Sequence, residues 1–121
     1  MHKLTDLNIW KKAIDFSVEI YGITALFPQD ERFGLISQMR RSAVSIPSNI
    51  AEGAGRNSNK EFVHFLSISN GSSNELLTQI IISNRLGYID DKIASFAIEK
   101  INEIQKMNNG LKVSIESKTI K

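Results

Sequence analysis

The stretch from Gln38 to Arg56, QMRRSAVSIPSNIAEGAGR, constrains the fold more than any other part of the chain. With the residues just before it, it sorts into three rows at helical spacing. Leu35, Met39, Ser42/Ala43, Ile46 and Ile50 form an apolar row. Ile36, Arg40, Val44, Pro47 and Ala51 form a second, mostly apolar row, and Arg41, Ser45, Ser48/Asn49, Glu52 and Arg56 a polar one. Steps of three and four residues are helical, and two adjacent apolar rows make a buried face wider than one helix contact requires. Pro47 disturbs this pattern. It has no N–H to give the carbonyl of Ala43, and its ring crowds that carbonyl. Either the helix kinks there or a new helix begins with Pro47 at its first position. The rows keep their register across the proline, which favours a kink. Gly53 and Gly55 suit left-handed C-terminal caps.

The rest of the chain repeats the helical pattern. Trp10, Ile14 and Tyr21 form one stripe, and Ala13, Phe16, Ile20, Ile23 and Phe27 another, with Asp6 or Thr5 available as a cap. Phe27-Pro28 ends that helix, because a residue before proline avoids the α region. Asp30 reads as the cap of the second helix. Ser58 and Glu61 form a capping box that opens a third. Its row is Phe62, Leu66, Ser69, Ser73, Leu76, Ile80 and Ser83. Gly71 lies in its middle, where glycine costs about 1 kcal/mol against alanine. A close helix crossing would explain it, and a break at Asn70-Gly71 is the alternative. Gly87 ends the third helix and Asp90 caps a fourth, which carries Ile93, Ala97, Ile101, Ile104 and Leu111. Asn108-Asn109-Gly110 weakens its end, and residues 112–121 are expected to fray. The expectation is one all-α domain over 1–121. It is an antiparallel up-down-up-down four-helix bundle, with helices at about 6–27, 30–54, 58–86 and 90–115.

Composition narrows the function classes. The 121 residues include no cysteine, so disulfides and thiolate metal sites are excluded. The formal net charge is +2, a mild excess that permits attraction to polyanions without demanding it. No apolar run approaches the roughly 20 residues needed to span a bilayer, and residues 1–8 carry no apolar block of a secretory signal. A cytoplasmic protein without membrane contact is expected. Catalytic equipment is thin: His2 lies in the lead and His64 on the third helix, neither with a visible partner. Asp90-Asp91 is explained by capping, and Glu52-Gly53-Ala54-Gly55 lacks the lysine and strand of a phosphate loop. No enzyme activity, metal or cofactor is expected.

The candidate functional residues cluster on the second helix. Arg40 and Arg41 project about 100° apart. Arg40 falls among apolar neighbours and needs a partner, such as Glu75 or Glu52, within the subunit or across an interface. Phosphate binding is the alternative for Arg40. Arg41 and Arg56 are further candidates for phosphate or the subunit interface, and Lys60, Lys11 and Lys12 could add to a basic patch. Ser45, Asn49 and Glu52 are small or polar where a solvated helix back would carry lysine and glutamate. They suit close packing against a second subunit, with a solvated face as the alternative.

The same residues carry a family resemblance. Gly34-Leu35, the run from Gln38 to Gly53 and Arg56 resemble the signature of the bacterial four-helix bundle proteins, or ribosomal RNA intervening-sequence proteins. Leu7, Trp10, Phe27-Pro28, Glu61-Phe62, Gly71-Ser72, Glu75-Leu76 and Leu86-Gly87-Tyr88-Ile89 extend it to about residues 4–105. The resemblance implies an up-down bundle assembled as a ring-like homopentamer. The chain is also similar to the accessory variability protein of diversity-generating retroelements, a basic pentameric barrel that binds nucleic acid and a reverse transcriptase. A non-enzymatic role in contact with RNA, DNA or a nucleic-acid-processing protein is therefore expected, with a pure protein–protein scaffold as the alternative.

Overall fold

The computed structural model describes residues 3–120, so His2 lies outside the described residues. Four helices make up the fold: α1 (Asn8–Thr24), α2 (Leu35–Ala54), α3 (Asn59–Arg85) and α4 (Asp91–Ile120). No strand occurs among the described residues. Short 3-10 turns at Leu4–Asp6 and Gln29–Glu31 precede α1 and α2.

Cross-helix hydrogen bonds set the order. The Ser17 hydroxyl of α1 donates to the Ala43 carbonyl of α2, while Arg40, earlier in α2, reaches Tyr21 and Thr24, later in α1. Ser69 donates to Ile46 and Ser83 to the Met39 sulfur, so α2 and α3 also run in opposite directions. Gln105 meets Asn74 and Asn108 meets Leu66, which makes α4 antiparallel to α3. The α1–α4 seam is the loosest. Across it the exposed Lys12 and Glu103 form an ion pair, which raises the pKa of Lys12 and lowers that of Glu103.

One apolar row of each helix points inward as the spacing predicts, whereas the second row of α2 and the Trp10–Tyr21 stripe of α1 are only partly covered, with Val44 and Tyr21 exposed. Phe16, Ile20, Met39, Ile46, Ile50, Leu66, Leu76, Ile80 and Ile101 are all fully buried. Burial of this apolar area is the main force holding the bundle together. α2 is continuous through Pro47, which excludes a helix start there.

Several local expectations are corrected. Leu7 occupies the cap position of α1, and neither Thr5 nor Asp6 caps it. α2 starts at Leu35 rather than Asp30, and the Glu31 carboxylate accepts from the Leu35 N–H at 3.2 Å. Gly53 and Gly55 are not left-handed; among the described residues Gly87 alone has positive φ, at 81°. Gly53 is instead required by packing, since a Cβ there would lie 2.8 Å from Cβ of Phe65. Gly71 has open space around it, so no crossing inside the protomer explains it, and the helix does not break there. α4 does not stop near residue 115. Asn108 donates to the Leu66 carbonyl at 3.0 Å, Asn109 accepts from Asn70 at 3.0 Å, and Ile115 is buried. The two asparagines that looked like helix breakers hold α4 against α3. The caps at Ser58 and Asp90 form as expected, with Oγ of Ser58 accepting from Glu61 and Oδ1 of Asp90 from Ile93.

Candidate functional site

Pro47 creates the first feature of interest. Its missing N–H frees the Ala43 carbonyl, and the buried Ser17 hydroxyl of α1 donates to that oxygen at 3.0 Å, sharing its proton with the Ala13 carbonyl at 2.9 Å. The partner that helix geometry denies is thus supplied from the neighbouring helix. Outside this contact lies a groove of about 410 Å³ between α1 and α2, lined by Ile14, Ser17, Val18, Tyr21, Val44 and Pro47. Val18 is 67% exposed there, and Tyr21 and Val44 are also exposed. It opens into a depression of about 540 Å³ where Tyr21 and Val44 are joined by Ser37, Arg40, Arg41 and Ser45.

The two arginines differ at this site. Arg40 is half-buried. Its Nε donates to Oγ1 of Thr24 at 2.9 Å, its Nη2 donates to the Tyr21 carbonyl at 3.3 Å, and its guanidinium lies 4.5 Å from the Tyr21 ring centroid. These groups belong to the last turn of α1, at the negative end of the helix dipole, and the Tyr21 carbonyl accepts from the Ala25 N–H as well. A cation there is stabilised without a carboxylate. Within the protomer neither of the expected partners, Glu75 and Glu52, pairs with it. Arg41 is exposed and has no acid partner among the described residues.

Further along α2, Ser45 and Asn49 turn toward α3. Oγ of Ser45 lies 2.8 Å from Oγ of Ser72, and Nδ2 of Asn49 donates to the Ser45 carbonyl and hydroxyl, both at 2.9 Å. The close polar packing anticipated for a second subunit occurs here within the protomer. About 22 Å along the helix axis from Arg41, Arg56 donates to Glu52 at 2.8 Å, lies 3.8 Å from Glu61, and sits 4.9 Å from the Phe65 ring centroid. Lys60 is exposed beside this group. The seven candidate residues therefore do not form one site. Arg40 and Arg41 stand at the α1–α2 groove, Ser45 and Asn49 in the α2–α3 seam, and Glu52, Arg56 and Lys60 at one end of the bundle.

That end has a charge character visible only in three dimensions. The antiparallel order brings together the starts of α1 and α3 and the ends of α2 and α4. Lys3, Lys11, Lys60, Lys112 and Lys118 lie toward that end without an ion-pair partner among the described residues, alongside Arg56 and the acids Asp6, Glu52, Glu61 and Glu116, which leaves a modest positive excess. Asp30, Glu31, Asp90 and Asp91 lie at the opposite end with Arg32, Arg85 and Lys92. His64 is exposed and meets the Phe65 ring edge-on, at 5.6 Å between centroids. No group of three or more His, Cys, Asp or Glu able to hold a metal ion occurs among the described residues. No described helix is long and apolar enough to cross a membrane.

Sequence reading missed Ser17, which lines the groove, and the buried Thr24, which holds Arg40. Their signal was present: both continue the Ala13–Ile20 face, and Pro47 announces a carbonyl in need of a donor.

No curated protein matches the chain. A solved structure of a protein of unknown function from the S23 ribosomal protein family of Bacteroides thetaiotaomicron is similar, with a TM-score of 0.77 and 24% sequence identity. The match covers 86% of this chain and 97% of that one, and at this identity it speaks for the fold alone. The model of the 23S rRNA-intervening sequence protein family matches residues 5–110, a span that takes in the Gln38–Arg56 stretch, α1 to α3 and the first two thirds of α4: the chain belongs to that family.

Proposed function

We propose that this protein is a non-enzymatic, self-assembling helical bundle that meets the phosphates of RNA with its basic end. The observation that carries this reading is the gathering of Lys3, Lys11, Lys60, Lys112 and Lys118 at one end, from helices far apart in sequence. Cations held on a rigid frame release the counterions of a polyanion on binding, and this entropy drives sequence-independent contact. Arg56 contributes less, because Glu52 and Glu61 already engage its guanidinium. The family's name, which refers to a 23S rRNA intervening sequence, is compatible with this role. The resemblance described above favours assembly as a homopentamer, which would place several basic ends side by side and multiply weak contacts.

Retention of labelled RNA across a salt series tests the proposal. The logarithm of the binding constant should fall against that of salt with a slope of about −0.7 for each single-strand phosphate engaged. Lys60→Glu combined with Lys112→Glu should reduce both affinity and slope. Absence of retention at low salt would leave a pure protein–protein scaffold as the reading.

A further inference from the structure

Two of the exposed apolar faces among the described residues bear on assembly. One is the α1–α2 groove with Val18, Tyr21 and Val44 in its walls and Arg41 on its rim. The other is the outer face of α3, opposite its buried row. There Ile68, Gly71, Glu75, Thr78, Ile82 and Leu86 succeed one another at steps of three and four residues. Ile68 is 39% exposed, Ile82 43% and Leu86 54%. A solvated helix back carries charged residues rather than such a stripe.

Resting on the reading that the chain self-assembles, we infer that the α1–α2 groove of one copy receives the Ile68–Leu86 face of α3 of the next, with Arg41 meeting Glu75. Three observations select a second copy as the occupant. The shapes differ in kind: one face is a groove between two helices and the other a single convex helix. The charges are complementary, since Arg41 and Glu75 are exposed, of opposite sign and without ion-pair partners among the described residues, each beside apolar side chains. Gly71 is the third. Glycine weakens a helix interior, and nothing lies within 4 Å of where its Cβ would stand. No contact inside the protomer uses the missing side chain, whereas a docked helix pair would. Two different patches on one chain make a head-to-tail contact, which either closes a ring or continues as a filament.

The test uses the full chain, with assembly followed by sedimentation velocity and helicity by circular dichroism. Arg41→Glu and Glu75→Arg, both surface changes, should each leave helicity intact and weaken self-association roughly tenfold or more, because each sets like charges opposite one another. The double variant, Arg41→Glu with Glu75→Arg, should recover assembly. If the unmodified chain assembles and both single variants assemble equally well, or the double variant fails to recover, the assignment of faces is overturned and the self-assembly reading stands. If the unmodified chain stays monomeric at micromolar concentration, both fail. If the single variants assemble normally but lose RNA retention, the groove is a nucleic-acid surface and the inference is overturned.

Discussion

Single side chains here satisfy backbone groups that belong to other helices. Arg40 looked like a buried cation in search of a carboxylate. The structure gives it the last turn of α1, where Oγ1 of Thr24, the Tyr21 carbonyl and the Tyr21 ring share its charge. Ser17 does the reciprocal task for α2, donating to the Ala43 carbonyl that Pro47 leaves open. A buried carbonyl without a partner costs about 1–3 kcal/mol. Ser17→Ala should therefore destabilise the fold by roughly that amount in the natural background. In a Pro47→Ala background, residue 47 can supply its own N–H, and the same change should cost less. A double-mutant cycle in urea measures the coupling, and additive effects would remove the proposed link. Neither role was legible from Ser17 or Arg40 alone, because both depend on which carbonyl of a second helix lies opposite.

The helices differ in how well their sequences describe them. The main buried rows of α2 and α3 were legible, since apolar spacing dictates which side must leave water, but the second row of α2 was read as buried and Val44 in it is exposed. The starts of α3 and α4 were legible too, because capping by Ser58 and Asp90 is local chemistry. The start of α2 was not: its cap is Glu31, reaching across four residues of turn. The end of α4 was misread for a related reason. Asn108 and Asn109 are poor helix residues taken alone, and their bonds to Leu66 and Asn70 of α3 offset that weakness. Ile115 beyond them is buried, so the terminal turns are part of the packed bundle. Ile115→Ala should cost about 2–5 kcal/mol in denaturant unfolding, the range for large-to-small core changes. A frayed terminus would show almost no change.

At the scale of the molecule, the antiparallel order sorts charge and fastens the acidic end. The Tyr88 hydroxyl, from the α3–α4 connection, donates to Oε2 of Glu31 at 2.9 Å, and its ring lies 5.3 Å from that of Phe27. The bond to Glu31 is the main cause raising the pKa of Tyr88 above its usual 10.0. A folded-state pKa above the unfolded value means that the contribution to stability is complete below about 10 and is lost as pH rises through the folded value. Absorbance titration should show one of the two tyrosines ionising late. Tyr88→Phe should remove that late phase and weaken the alkaline loss of stability, and an unchanged titration would argue against the bond. The basic end opposite is the whole-molecule feature on which the proposed RNA contact rests. No local window reveals it, because its lysines come from residues 3 to 118.

The sequence by itself determined the four helices, their buried faces and the family. Each of these follows from periodicity, caps and a long local motif, and none requires knowing which helix lies beside which. Tertiary structure alone decided what Pro47, Arg40, Asn108 and Asn109 do, where the lysines converge, and which apolar faces are left uncovered. The physical reason is the same in each case. A hydrogen bond, a charge cluster or a groove is defined by groups brought within a few ångströms, and in an antiparallel bundle those groups come from residues tens of positions apart. The Gln38–Arg56 stretch shows both sides: its rows announced a continuous helix, and only the neighbouring α1 showed how that helix accommodates its proline.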